Sequence, residues 1–187
     1  MKLISFLIFG IFALNVTCLA QSNSRYNNIN LIRKNPLDTL FEHKGQFVRK
    51  EFIYLGSFSQ TKVNLLVVTK PFINPNKCDI YLHFKRIDNW NNKYVNYALI
   101  SYSEINSLIY SMESMRLLKE ESNYTEYKFN SIYGAEIGCF YNRQSGWKYF
   151  FDFNNGIFSQ TRLTIIEFDK LLEIAKKASV VGSGYKQ

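Results

Sequence analysis

Acid–base, nucleophilic or metal chemistry in this chain must draw on a short inventory: two histidines (His43 and His83), three cysteines (Cys18, Cys78 and Cys139) and fifteen carboxylates. Neither histidine sits in an HExxH or comparable ligand pattern, so no metal and no cofactor is expected. No Gly-x-Ser-x-Gly elbow presents a serine. Cys139 lies between Gly138 and Phe140 in an apolar stretch, where a thiol stays inert. Gly182-Ser183-Gly184 follows a helical pattern instead of opening one and cannot cradle a phosphate. Glu104 and Glu167 invite a reading as paired catalytic carboxylates. Each, however, lies three residues after a Ser or Thr at the head of an apolar stripe, in Ser101-Tyr102-Ser103-Glu104 and Thr164-Ile165-Ile166-Glu167. That is a capping box, in which hydroxyl and carboxylate satisfy the free N–H groups of a helix start. The expectation is a protein that is not an enzyme.

What remains is surface chemistry. The chain carries 23 Lys and Arg against 15 Asp and Glu, a net +8, and 17% of its residues are aromatic. Basic and aromatic residues interleave at Tyr81, Lys85, Tyr141, Arg143, Trp147 and Lys148, a mixture that suits base stacking and phosphate contact. Against that, no basic run exceeds two residues, the pattern of a solvated surface. In residues 78–85, Ile80, Leu82 and Phe84 alternate with Tyr81, His83 and Lys85. His83 is therefore expected to face solvent, and His43 to serve the end of a short helix. Residues 147–153 place Tyr149, Phe151 and Phe153 on one face, with Phe150 and Asp152 on the other. The expected ligand surface is Tyr81, His83, Lys85, Phe150 and Asp152, with Trp147 added as a strand-edge aromatic.

These residues must be positioned by the elements around them, and the first element is an export signal. Lys2 precedes an apolar run from Leu3 to Leu14, and Cys18-Leu19-Ala20 places small residues at −3 and −1 of a cleavage before Gln21. The run is shorter than the roughly 20 residues of a membrane span. Cys18 as a lipidated residue fits poorly, because Asn15-Val16-Thr17 lacks the small residue and the Leu-like residue that precede such a cysteine. Cleavage leaves 167 residues at net +7, exported to the periplasm or beyond, with Cys78 and Cys139 as the remaining thiols. A chain of this length does not need a disulfide to hold its core, and two unbridged buried thiols are expected.

Residues 21–34 are polar and Asn-rich, a flexible lead-in. A single domain follows over 35–180, with a loose tail at 181–187. Asn35-Pro36 caps a short helix carrying Leu37, Leu40 and Phe41 and stopped by Gly45. Strands are expected at 46–56, 62–69, 78–85 and 94–100, separated by turns at Pro71–Asn76 and Asp88–Asn92. The first capping box then opens a helix whose stripe is Ile105, Leu108, Ile109, Met112 and Met115. Strands at 123–133, 135–142, 147–153 and 157–163 repeat the order, with a turn at Asn154–Gly156. The second box opens a helix with Phe168, Leu171, Leu172 and Ala175 in the same phase, at a constant offset of 63 residues.

The chain thus reads as α+β, two consecutive antiparallel ββββα units (46–118 and 123–178) sharing one core and preceded by a short N-terminal helix. Over residues 46–178 this element order resembles the whirly and Pur-type folds. That resemblance implies curved sheets that display aromatic and basic residues to single-stranded nucleic acid. The strand-to-capped-helix pattern is also similar to uncharacterised exported bacterial proteins. The expected function is an exported, non-catalytic binding or structural module of the cell envelope, with an envelope protein or an anionic polymer as partner and no membrane span in the mature chain. Single-stranded nucleic-acid binding is the second expectation, weakened by export, and an unrecognised secreted hydrolase the third.

Overall fold

A computed structural model describes residues 47–87, 95–153 and 159–185, all within the unit Asn35–Gln187. The expectations for the export signal, the lead-in, the Asn35 helix, His43 and the turns at Asp88–Asn92 and Asn154–Gly156 lie outside the described residues. Four antiparallel strands, β1 (Arg49–Phe58), β2 (Thr61–Lys70), β3 (Asn74–Ile87) and β4 (Val95–Ser101), form one sheet in sequence order. A short 3-10 turn at Tyr102–Glu104 leads into α1 (Ile105–Arg116). The second sheet holds β5 (Thr125–Asn130), β6 (Glu136–Asn142), β7 (Gly146–Asp152) and β8 (Gln160–Leu163), again antiparallel and in order, and α2 (Ile165–Ser183) follows it. Among the described residues no helix is long and apolar enough to cross a membrane.

Both capping boxes form. The Glu104 carboxylate accepts the Ser101 N–H at 3.0 Å, and that of Glu167 accepts the Thr164 N–H at 2.9 Å while Thr164 Oγ1 accepts the Glu167 N–H at 3.2 Å. Backbone donation holds the Glu167 carboxyl below its ordinary range. The helical stripes are buried in phase: Ile105, Leu108, Met112 and Met115 in α1, and Phe168, Leu171, Ala175 and Ala178 in α2. Helix α2 runs through Gly182 and Ser183, further than the expected domain end at 180.

Of the boundaries that differ from expectation, two move a turn, while the strand expected at 123–133 is confined to Thr125–Asn130 and the one expected from 46 begins at Arg49. Asn74, Pro75 and Asn76 belong to β3, because the chain reverses earlier, over Lys70–Ile73, where the Ile73 N–H donates to Lys70 O at 3.0 Å. A register shift at Thr69/Lys70 accommodates Pro75, which lacks a donor for the ladder. Strand β1 also continues to Phe58, turning through Ser59 and Gln60, both at positive φ (36° and 63°). These are the left-handed values a two-residue hairpin turn demands, met here without glycine.

The inward faces of both sheets carry the apolar residues: Val63, Leu65, Leu82, Phe84 and Ile100 in the first, and Ile137, Cys139, Phe151 and Leu163 in the second. Phe151 meets Phe58 and Phe84 with ring centroids 5.5 and 4.7 Å apart. Helices α1 and α2 are antiparallel, paired through Asn106–Ser179, Glu113–Lys176 and Arg116–Asp169. Each reaches beyond its own unit. Helix α2 lies along β1, where the Lys177 ammonium donates to Leu55 O at 3.3 Å and Ile174 covers Gly56, while α1 touches β5 and β6. Tyr102 closes the far end, donating to Ser179 O at 2.8 Å over Gly182, where a Cβ would come within 2.1 Å of the ring.

Candidate functional site

Strand alternation sends Phe52 and Tyr54 (β1), Lys62, Asn64, Leu66 and Val68 (β2), Tyr81, His83 and Lys85 (β3), and Tyr97 and Leu99 (β4) to the side of the first sheet away from the helices. The centre of this side is sealed. Leu66, Val68, Tyr81 and Leu99 form a second apolar cluster with Val48, Tyr97 and Tyr133 packed on it. Tyr81 and His83, expected at the surface, are therefore buried. The ring of Tyr133 meets Tyr81 at 5.5 Å, and burial pushes the Tyr81 phenol above its ordinary pKa.

His83 is 3% exposed. Its ring lies between Phe52, at 5.4 Å and edge-on, and Tyr97, at 5.7 Å and nearly parallel. Neither ring nitrogen has a hydrogen-bond partner. Burial, with Lys85 adding to it, pushes the imidazole down to about 4, so the ring is neutral at pH 7. A buried polar side chain left unpaired on both nitrogens is rare, and such groups concentrate where structure yields to function.

The rim of the same side is open. Phe52 and Tyr54 are 49% and 60% exposed. Beside them one row crosses all four strands: Ser57, Lys62, Lys85 and Tyr97 are successive cross-strand neighbours. Like charges directly opposite each other repel. Here Lys62 faces Lys85, and no acid flanks either within the row. Lys85 Nζ lies 5.9 Å from the Tyr97 ring centroid. The row thus places two ammonium groups side by side on an outward side with no acid between them.

The other expected contacts fall on the second sheet. Phe150 and Asp152 share its outward side, where Phe150 is fully buried instead of exposed. Lys128 caps that ring at 5.7 Å and pairs with Glu126 and Glu136 at 3.1 and 3.0 Å. Trp147 is turned to the opposite side, half-buried among Tyr127 and Tyr141, and its indole N–H donates to Lys119 O at 3.0 Å. The structure thus brings together Tyr81, His83 and Lys85, and leaves Phe150, Asp152 and Trp147 elsewhere.

Sequence reading missed Lys62 and Tyr97. Pairing counted outward from the Lys70–Ile73 turn sets Lys62 against Tyr81, and it is the register shift at Thr69/Lys70 that brings Lys62 to Lys85.

The remaining reactive groups are quiet. Cys78 and Cys139 are unbridged. Burial pushes the Cys139 thiol up to about 12, and Cys78, half-buried, donates to Tyr185 O at 3.2 Å. Among the described residues no three His, Cys, Asp or Glu side chains gather to hold a metal ion. Glu104 is further engaged: it accepts the Ile132 N–H at 3.0 Å and lies 3.1 Å from the Ser131 hydroxyl. Compared with known protein families, with curated proteins and with solved structures, the chain matches none.

Proposed function

We propose that this chain is an exported binding module of the cell envelope that holds an anionic polymer along the Ser57–Lys62–Lys85–Tyr97 row, without catalysing a reaction on it. The observation that carries this reading is the Lys62–Lys85 pair, two cations facing each other across neighbouring strands with no acid beside them in the row. A polyanion seated there relieves the repulsion and gains the exposed rings of Phe52 and Tyr54 as apolar flanks. The carboxylates Glu104 and Glu167 are occupied by backbone donors, and the His83 ring is enclosed between two aromatic rings, which favours binding over chemistry. Export is supported by the Lys2, apolar-run and Cys18-Leu19-Ala20 anatomy of residues 1–20. Mass spectrometry of the mature chain tests it, with Gln21 as the expected N-terminus. The element order further supports a duplicated unit whose halves share one core across a pseudo-two-fold, the Phe58–Phe151 and Phe84–Phe151 contacts joining them.

Inorganic polyphosphate is the probe for the row. Micromolar binding that weakens steeply between two salt concentrations is expected. Lys62→Ala with Lys85→Ala should weaken it at least tenfold, and binding unchanged in that variant removes the row from consideration. The exposed rings of Phe52 and Tyr54 favour one second reading, a single-stranded nucleic acid whose bases stack on the rim. Gel shift with oligo-dT separates the two. Oligo-dT bound more tightly than polyphosphate of equal charge supports stacking, and equal or weaker binding supports the polyanion reading.

A further inference from the structure

The β2–β3 turn, at the other end of the hairpin from Lys62 and Lys85, leaves apolar side chains in water. Lys70 and Ile73 close a β-turn with Pro71 at its second position, which fixes the backbone there and pushes Phe72 outward. Phe72 is 83% exposed and Ile73 59%. Phe47 adds to them, its ring 5.4 Å from that of Phe72. The three expose roughly 400 Å² of apolar surface at one protruding point, by the usual areas of such side chains.

The flanks of the turn are basic. Lys70 is at its first position, and Lys77 lies just before Cys78 on the returning strand, opposite the base of the turn. Among the described residues neither lysine has an ion pair. Glu51, which lines a hollow with Lys77, is paired with Arg49 at 3.3 Å, and Asp79 sits across from Val68. A partner protein is a poor match for so small a knob, because stable interfaces cover about 800 Å² on each side. An apolar tip ringed by lysines fits a different surface, one with hydrocarbon beneath a negatively charged layer. Aromatic and aliphatic side chains enter the acyl boundary while flanking cations stay among anionic headgroups.

We infer that the Phe72–Ile73 turn, with Phe47 beside it and Lys70 and Lys77 at its base, is a docking tip for an anionic lipid surface. It stands apart from the polyanion row by the length of β2, roughly 26 Å at strand rise, so either can hold without the other. A bilayer-bound tip would leave the row displayed away from the membrane.

The test places a reporter at the tip of the full chain. Phe72→Trp is mixed with vesicles of phosphatidylcholine, or of phosphatidylcholine with phosphatidylglycerol, each made with and without brominated acyl chains. Its emission is read against the parent chain, so that only the added indole counts. The added emission should be quenched at least twofold by brominated anionic vesicles and little by brominated zwitterionic ones. Lys70→Glu with Lys77→Glu in the same background should abolish the quenching. Ile73→Trp provides a second reporter at a site equally open to substitution. Added emission from both reporters unquenched in anionic vesicles, or quenching that survives the two charge reversals, overturns the proposal.

Discussion

The two units repeat one plan and finish their outward sides in opposite ways. On the second sheet Phe150 lies over Gly138, Lys128 covers the ring, and two glutamates answer the lysine. The Lys128 charge there has two partners close by, and the aromatic ring is closed off. On the first sheet a lysine faces a lysine and a histidine is buried with both nitrogens idle. The same strand pattern produced both, so the difference lies in what each side is kept for. A side that satisfies itself builds the fold, and one that leaves donors unanswered is ready for something outside the chain.

The strongest way to break the contrast is to open the closed side. A Cβ at Gly138 would lie 2.5 Å from Tyr127 O and 2.6 Å from the Phe150 ring. Gly138→Ala should therefore cost about 3 kcal/mol in urea denaturation. A change below 1 kcal/mol would mean that Phe150 is not held against the strand.

The next effect, of similar size, belongs to the other side. An unfolded His83 takes its proton near pH 6.5, and the folded ring resists until about pH 4. Stability from this group is full above pH 6.5, falls as the pH drops through that window, and is flat below it. The loss amounts to about 3 kcal/mol at the foot of the window. His83→Leu should remove that part of the slope, and an identical pH dependence in the variant would show that the ring is already solvated.

The caps sharpen the comparison at a smaller scale. Glu104→Ala loses the Ser101 and Ile132 donors and the contact with Ser131, at a cost of about 2 kcal/mol. Glu167→Ala loses its own helix start and a hydrogen bond with Ser59, at about 1 kcal/mol. Equal thermal shifts would mean that the Ser131 turn does not lean on Glu104. Smallest are the surface lysines. Lys128→Ala should destabilise by about 0.5 kcal/mol, whereas Lys85→Glu, which replaces repulsion with attraction toward Lys62, should stabilise by a similar amount. A destabilising Lys85→Glu would mean that Lys62 and Lys85 do not feel each other.

The local part of this architecture is legible residue by residue. Ser101 with Glu104 and Thr164 with Glu167 announce helix starts, and the buried stripes follow in the expected phase because helical period is a property of neighbours in sequence. Strand alternation also divides Ile80, Leu82 and Phe84 correctly from Tyr81, His83 and Lys85. Alternation separates two sides of a sheet but does not say which side is wet. His83 and Tyr81 are buried because Phe52, Tyr97 and Tyr133 arrive from other strands and from a turn fifty residues away. The facing of Lys62 with Lys85 depends in the same way on register, which the shift at Thr69/Lys70 moves away from the pairing that the Lys70–Ile73 turn alone would set.

The reach of α2 across to β1 bears on how the molecule comes into being. The residues that cover the first strand of the first sheet are made more than a hundred positions after it. Four strands can pair as they emerge, yet their apolar side lacks its helical cover until Ile174, Lys177 and Gly182 arrive. The long sequence separation of these contacts makes closure slow and leaves an adhesive half-molecule exposed meanwhile. Damage in α2 is thus felt at the first sheet, more than a hundred residues upstream. A nascent chain of this kind has reason to be escorted until α2 is free.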